Sequence, residues 1–276
     1  MAGAIALAGS THPGPTVAVS LITVVFAVGI GLEPWRVALL GTAMLLGQAS
    51  VGLSNDWLDA DRDRIVGRSD KPVASGLISV PIVRAGAIGA AIAAVVATVP
   101  LGASATLVHT VFIASAWGYN LGLKGTAFSV APYVVSFGLL PALVTLSAGR
   151  PEFAAGWALA LGALLGVAAH FANVLPDLDE DRATGVRGLP HRLGARASGL
   201  ATWAALTAGS AVAFFGPGGA VTAAQWVGLV ATLGVASFGV VLVLTRPPTR
   251  LLFQLIIATA IVNVAVLSLA GGRAIG

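Results

Sequence analysis

Nine stretches of this chain, each about as long as a bilayer is thick and nearly free of charge, decide what it can fold into. A hydrocarbon core of about 30 Å takes about 20 helical residues at about 1.5 Å each. Inside that core every backbone polar group has to find a partner within the protein, which favours helices. Apolar runs between breakers place the stretches at Thr16–Leu32, Trp35–Leu53, Val80–Val99, Ala105–Leu121, Phe128–Leu146, Phe153–Val174, Ala197–Phe215, Ala223–Leu244 and Leu251–Ala270. The expected fold is therefore an all-α membrane protein, a bundle of nine transmembrane helices forming one domain over residues 1–276. Only Glu33 and Pro34 divide the first two runs, which makes them the least separable. Residues 1–15 carry no Lys or Arg and so lack the positive start of a cleaved signal peptide; they are read as part of the mature chain.

Composition removes the main alternatives. With 57% apolar and 9% charged residues, against roughly a quarter charged in a soluble domain, the chain cannot coat a water-soluble core. The absence of cysteine excludes thiol catalysis, thiolate metal sites and a disulfide scaffold. An excess of 15 Lys+Arg over 11 Asp+Glu reads as membrane topology, with no nucleic-acid partner. If the helices alternate, twelve basic residues share the side of the N-terminus and the even-numbered connections, and only Arg36, Arg150 and Arg273 face the other. The positive-inside rule then puts the N-terminus and the long connections in the cytoplasm of a multi-pass protein, read here as bacterial.

Nine of the 11 acidic residues fall in two segments, Leu53–Leu77 and Asn173–Gly194, which follow the second and sixth runs on that cytoplasmic side. These two Asp-rich loops are expected to cap a central cavity. On a helix leaving the second run, Asp56, Asp59 and Asp63 share a face at i, i+3 and i+7, with Asn55 and Asp59 at i, i+4. Asn173, Asp177 and Asp181 repeat the arrangement at i, i+4 and i+8, with Pro176 expected to bend the helix. Crowding carboxylates at a membrane face is costly, since one Asp costs about 2.5–3.5 kcal/mol at mid-depth and less near the interface. A cation has to offset them. Oxygen ligands without a His or Cys cluster suit Mg²⁺, which keeps waters and completes its shell with phosphate oxygens. Arg62, Arg68, Lys71, Arg182 and Arg187 stand beside the acids and suit a diphosphate.

The chemistry implied is ionisation of an allylic diphosphate, with metal and cations stabilising the leaving group while the prenyl tail stays in the bundle. The plain alternative is a pair of solvated loops whose acids pair with neighbouring arginines. Matching carboxylate spacing in two loops weighs against it.

These residues resemble the UbiA superfamily of intramembrane prenyltransferases. Asn55, Asp56, Asp59 and Asp63 match its NDxxDxxxD motif, and Lys71-Pro72-Val-Ala-Ser75-Gly76 is similar to its R-P-x-x-S-G stretch with Lys for Arg. Asp177 and Asp181 match DxxxD, followed by Gly185 and Leu189-Pro190-His-Arg-Leu-Gly194. Many members carry a further Asp where this chain has Val174, and Asn173 lies next to it. Tyr119-Asn-Leu-Gly-Leu-Lys124 resembles the family's Tyr and Lys segment on the fourth helix. The resemblance implies that Asn55, Asp56, Asp59, Asp63, Asp177 and Asp181 bind Mg²⁺ and through it the diphosphate. It makes Lys124, Arg62, Arg68, Lys71, Tyr119 and Arg182 candidates for diphosphate contact. Asp59, Asp63, Asp177, Asp181 and Lys124 would carry catalysis, with Asp61 and Asp70 as candidate proton acceptors.

The implied partners are a prenyl diphosphate, a small acceptor and the lipid bilayer. A 4-hydroxybenzoate-like aromatic acceptor, and hence quinone biosynthesis, fits the Lys-Pro-x-x-Ser-Gly and Leu-Pro-x-x-Leu-Gly stretches. Naphthoate, glycerol phosphate and phosphoribose acceptors stay open. A cation-coupled transporter would place its acids near the bilayer midplane, whereas these sit at helix ends. A CDP-alcohol phosphotransferase would open with D-G-x-x-A-R, which is absent. A prenyl-cation cyclase shares the same logic. Among isolated polar residues, His109 reads as a helix–helix contact and His191 as an interfacial group; Gln48 reaches the acceptor or is a helix–helix contact, and His170 faces the same cavity as Asn173 or is structural. Gly162 and Gly166 read as close helix packing.

Overall fold

The computed structural model describes residues 2–178, 181, 185–245 and 250–276, apart from the side chains of Ala2, Asp177 and residues 250–253. No strand occurs among the described residues, only one antiparallel bridge between Ala154 and Ile275. In chain order the helices are α1 (Ala2–Gly9), α2 (Pro13–Gly29), α3 (Pro34–Leu58), α4 (Ala60–Ile65), α5 (Val80–Thr98), α6 (Ala103–Leu121), α7 (Ala131–Leu146), α8 (Gly156–Val174), α9 (Leu189–Phe215), α10 (Ala223–Thr245) and α11 (Arg250–Leu269). Short 3₁₀ turns at Val99–Leu101, Leu123–Gly125, Leu175–Asp177 and Gly271–Ala274 join or end them.

Proline marks many of the starts. It occupies the first or second position of α2, α3, α5, α7 and α9, where its missing N–H costs no helical bond and its φ is already helical. A helix overlies each of the nine apolar runs. Five helical stretches among the described residues are long and apolar enough to cross a membrane: α3, α5 with its 3₁₀ extension, α8, α9 and α10. The α1–α2 pair, bent by 62°, passes as a sixth. Helix α7 has 16 residues, and the Gln254–Leu269 part of α11 is also short. Helix α6 is diluted by Ser104, Thr106, His109, Thr110, Ser115 and Asn120. Helix α9 begins at Leu189, ahead of the expected Ala197, because the polar Leu189–Leu193 stretch is itself helical and joins the apolar part across a kink at Gly194.

Sequence neighbours pack side by side, and α11 returns to α2, so the bundle closes into a ring. One large apolar cluster runs through it, with Phe26, Met44, Phe112, Leu143, Leu161 and Trp203 among its buried members. Lipid tails are as apolar as these side chains, so close approach of small residues holds neighbouring helices. A Cβ on Gly162 would stand 2.3 Å from the Phe137 carbonyl oxygen, and one on Gly166 would stand 2.4 Å from that of Tyr133. Gly166→Ala is therefore expected to wedge α8 off α7 and lower stability by about 1–3 kcal/mol, read as a reduced Tm of the purified protein. An unchanged Tm would show slack in this seam.

The connections sort to two ends. At one end Glu33 pairs with Arg36 (2.9 Å), Arg36 donates to the Ser147 carbonyl (3.0 Å), and the C-terminal residues bond to the start of α8 through Ala155 N to Ala274 O (2.9 Å). The other end holds the acidic segments.

Candidate active site

Helix α3 runs almost without interruption into α4. Backbone bonds from Asp59 N to Asn55 O (2.9 Å) and from Asp63 N to Asp59 O (2.8 Å) carry the helical register across the junction. The i, i+3, i+7 face therefore survives, and Asp56, Asp59 and Asp63 are buried to 1%, 6% and 3% exposure. Buried carboxylates need cationic partners, and each of these has one. Asp56 Oδ1 accepts from His12 Nε2 (2.8 Å) and lies 3.4 Å from Lys71 Nζ. Asp59 pairs with Lys124 through Oδ1 and with Arg62 through Oδ2 (3.0 Å). Asp63 meets Lys71 (2.8 Å) and, at 3.7 Å, Arg62. Asn55 ties these pairs together, donating to Asp59 Oδ2 (3.0 Å) and accepting from Lys71 Nζ (3.2 Å).

Lys124 reaches Asp59 because the chain reverses at Gly122, whose φ of 152° is reached by glycine at little steric cost. Burial pushes the Lys124 ammonium below its ordinary value, against the pull of Asp59. Asn120, one turn earlier on α6, donates to the Val51 carbonyl (2.9 Å) and to Ser54 Oγ (2.7 Å), locking α6 onto α3 beside Asn55.

The second segment closes over the same end. Gly188 packs so tightly on the Lys124 turn that a Cβ would stand 2.5 Å from the Lys124 carbonyl oxygen. Leu189 N donates to Ser129 Oγ (2.8 Å), which also meets His170 Nε2 (3.0 Å). Asp181 Oδ2 lies 3.3 Å from Nε2 of the buried His191. Tyr119 stands near the end of α6, one residue before Asn120. Its ring meets Tyr133 (5.3 Å between centroids) and His170 (5.9 Å) edge-on, and Asn173 Nδ2 lies 3.4 Å from the Tyr133 hydroxyl. A cavity of about 250 Å³ opens beside Asp56, between the α1–α2 elbow and Arg68, Asp70 and Lys71.

The structure thus gathers Asn55, Asp56, Asp59, Asp63, Arg62, Lys71, Tyr119, Lys124 and Asp181 at one end of the bundle. The Asp177 side chain and Arg182 lie outside the described residues. Among the described residues no three His, Asp or Glu side chains close around one point as a ready metal cage; cations interleave the carboxylates. Arg68 is forked onto Asp70 (3.0 and 3.1 Å) at the cavity rim. That fork holds the Asp70 carboxyl below its usual range, which makes it a poor proton acceptor. Asp61, 93% exposed and paired with Arg64 (2.8 Å), turns away from the cluster, so its expected role as a proton acceptor is corrected.

His191 also departs from expectation. It is buried within the protein, its Nε2 3.3 Å from Asp181 Oδ2. Gln48 Nε2 lies 3.8 Å from Met44 Sδ on its own helix. His109 does bridge two helices, meeting Thr98 Oγ1 at 2.7 Å. Sequence reasoning missed His12 and Asn120. The signal for His12 was a lone titratable residue in the breaker-rich Ser10-Thr-His-Pro-Gly-Pro15, on the same side as the acids.

The model of the UbiA prenyltransferase family matches residues 14–250, well over half of the chain. No protein with a curated description matches it. Among solved structures, the fold is similar to a UbiA homolog from Archaeoglobus fulgidus bound to GPP and Mg²⁺, with TM-score 0.74 and 13% identity over 95% of this chain and 98% of that one. It is also similar to the apo structure of a UbiA homolog from Aeropyrum pernix K1, with TM-score 0.69 and 19% identity over 91% and 97% of the two chains. A digeranylgeranylglyceryl phosphate synthase matches with TM-score 0.66 and 13% identity over 99% of each chain. The paired acidic segments of an all-helical bundle and the family match over most of its length agree: the chain belongs to the UbiA prenyltransferase family.

Proposed function

We propose that this protein transfers a prenyl group from an allylic prenyl diphosphate to a small acceptor, using Mg²⁺ bound together with the diphosphate at the acidic end of the bundle. The observation that carries the reading is the Lys124 turn, which pairs through its ammonium with Asp59 of the first motif segment and packs on Gly188 of the second, where a Cβ would stand 2.5 Å from the Lys124 carbonyl oxygen. That packing supports the reading that two segments far apart in the chain attend one chamber.

The residues present fit the metal. Asn55, Asp56, Asp59, Asp63, Asp177 and Asp181 offer oxygen donors, and Mg²⁺ takes few carboxylates while keeping waters and phosphate oxygens. When bound, it supplies Lewis acidity toward the leaving diphosphate. Lys71, Lys124 and Arg62 then exchange carboxylate oxygens for phosphate oxygens and hold the growing negative charge, with Arg68 and Arg182 as further contacts. The carbon–oxygen bond breaks with its electron pair going to the diphosphate. The allylic cation left behind lies near the Tyr119 and Tyr133 rings, whose π faces favour positive charge. The acceptor's carbon or hydroxyl oxygen closes the new bond, and the proton it loses passes to the released diphosphate or to water.

On this reading the helices over the nine apolar runs span the membrane as a single domain of residues 1–276, with the N-terminus and both acidic segments cytoplasmic. The favoured acceptor is an aromatic acid of the 4-hydroxybenzoate kind, supported by Arg68 and Lys71, two cations that line the cavity of about 250 Å³ beside Asp56. Similarity to a glycerylphosphate synthase favours a glycerol phosphate acceptor as the second reading. The test is purified protein with radiolabelled geranyl, geranylgeranyl and longer diphosphates, offered 4-hydroxybenzoate, a naphthoate, glycerol phosphate and a phosphoribose. Labelled product that needs Mg²⁺ and vanishes with EDTA is expected. Transfer that persists in EDTA, or no product across the whole panel, overturns the proposal.

A further inference from the structure

Among the described residues the elbow between α1 and α2 contains the one non-glycine residue with positive φ, His12, at φ 53° and ψ 67°. A non-glycine residue in that region stores strain of about 1 kcal/mol or more and persists only where its surroundings over-determine it. They do so here. The Thr11 carbonyl oxygen sits against α3, where a Cβ on Gly52 would stand 2.2 Å away. Gly9 packs on Pro72, beside Lys71. Ala6 is buried with Leu53, Ala60 and Val73 in a small apolar cluster of its own. Thr11 is tied from both sides, its hydroxyl donating to Ala8 O (2.7 Å) and its carbonyl accepting from Thr16 Oγ1 (2.7 Å).

The strained residue is the one that touches the acidic cluster. His12 Nε2 donates to Asp56 Oδ1 at 2.8 Å, and Lys71 approaches the same oxygen at 3.4 Å. Ser10, two residues earlier in the elbow, is fully buried. We infer that His12 is a positioning residue for the proposed prenyl transfer: the docked elbow holds Asp56 Oδ1 through the imidazole and so sets the rotation of this carboxylate before metal and diphosphate arrive. This rests on the function proposed above. Side chains that orient a metal ligand in this way are worth about 10–100-fold in metal affinity or activity.

The backbone conformation supplies a clean test. His12→Gly removes the imidazole while fitting a positive φ better than histidine does, so the elbow keeps its shape; His12→Gln returns a nitrogen donor. Full-length protein in detergent is titrated with Mn²⁺ in the presence of inorganic pyrophosphate and followed by electron paramagnetic resonance, with Tm and prenyl-transfer kinetics measured alongside. The expected result is a His12→Gly protein with unchanged or higher Tm, Mn²⁺ affinity at least about tenfold weaker and a raised Mg²⁺ requirement for turnover, and a His12→Gln protein close to wild type. A purely structural role predicts that Tm and affinity fall together. His12→Gly binding Mn²⁺ as wild type does, or His12→Gln as weak as His12→Gly, overturns the inference while leaving the proposed function standing. Wild-type protein that fails to bind Mn²⁺ with pyrophosphate overturns both.

Discussion

Asp59→Ala is expected to leave the protein folded and membrane-inserted while lowering prenyl transfer by about a thousandfold or more. Asp59 is where the first motif meets Lys124, Arg62 and Asn55. Its loss removes a proposed metal ligand and frees two cations to drift, so charge no longer converges on the leaving group. Deleting a single preorganised electrostatic group costs about 10²–10³ in turnover, and Asp59 organises three. The folding cost is smaller. Lys124 and Arg62 keep 14% and 28% of their side-chain surface exposed, so the orphaned cations rehydrate, and the penalty stays below the about 3–5 kcal/mol of a fully buried broken pair. Adding Lys124→Met to Asp59→Ala should recover stability and no activity. Radiolabelled transfer and Tm on the single and double variants check this; Asp59→Ala retaining a tenth of wild-type turnover would remove the residue from the machinery. Asp177→Ala is expected to match Asp59→Ala in activity, as the partner carboxylate of the second motif.

Lys71→Met has the second-largest effect, and a different signature. One ammonium serves Asp63 at 2.8 Å, Asp56 at 3.4 Å and Asn55 at 3.2 Å. Without it two buried carboxylates lose a shared counter-ion, and uncompensated buried charge is destabilising. Turnover should fall about a hundredfold and stability by about 1–3 kcal/mol. A divalent cation can take the ammonium's place, so added Mg²⁺ should raise the Tm of Lys71→Met by more than it raises that of wild type. Equal shifts in the two proteins would show that Asp56 and Asp63 do not serve the metal.

Much of this architecture was legible because it rests on local physics. Twenty-residue apolar runs find helices wherever the solvent is lipid, and prolines such as Pro34, Pro132 and Pro190 announce where several start. The buried face of Asp56, Asp59 and Asp63 followed from spacing alone, because α4 keeps the helical register of α3. What escaped was long-range or depended on packing. His12 meets Asp56 across 44 positions and Asn120 meets Ser54 across 66, and no periodicity links residues so far apart. His191 follows the second motif like an ordinary interfacial residue, and only the fold buries it against Asp181. Asp61 carries the same carboxylate as its neighbours, yet one step around the helix turns it to water.

The interleaving of Asp56, Asp59 and Asp63 with Lys71, Lys124 and Arg62 leaves the resting cluster close to electroneutral. Such a cluster holds its shape without any ion and offers little attraction to free Mg²⁺ alone. On the proposed function a magnesium–diphosphate complex would bring both signs at once: Lys71, Lys124 and Arg62 would turn from the aspartates to its phosphates, and the aspartate oxygens would be left to hold its metal. Occupancy is then a swap of partners with almost no change in net charge, which favours ion and prenyl donor entering as one species and places discrimination against bare ions in the resting salt bridges themselves.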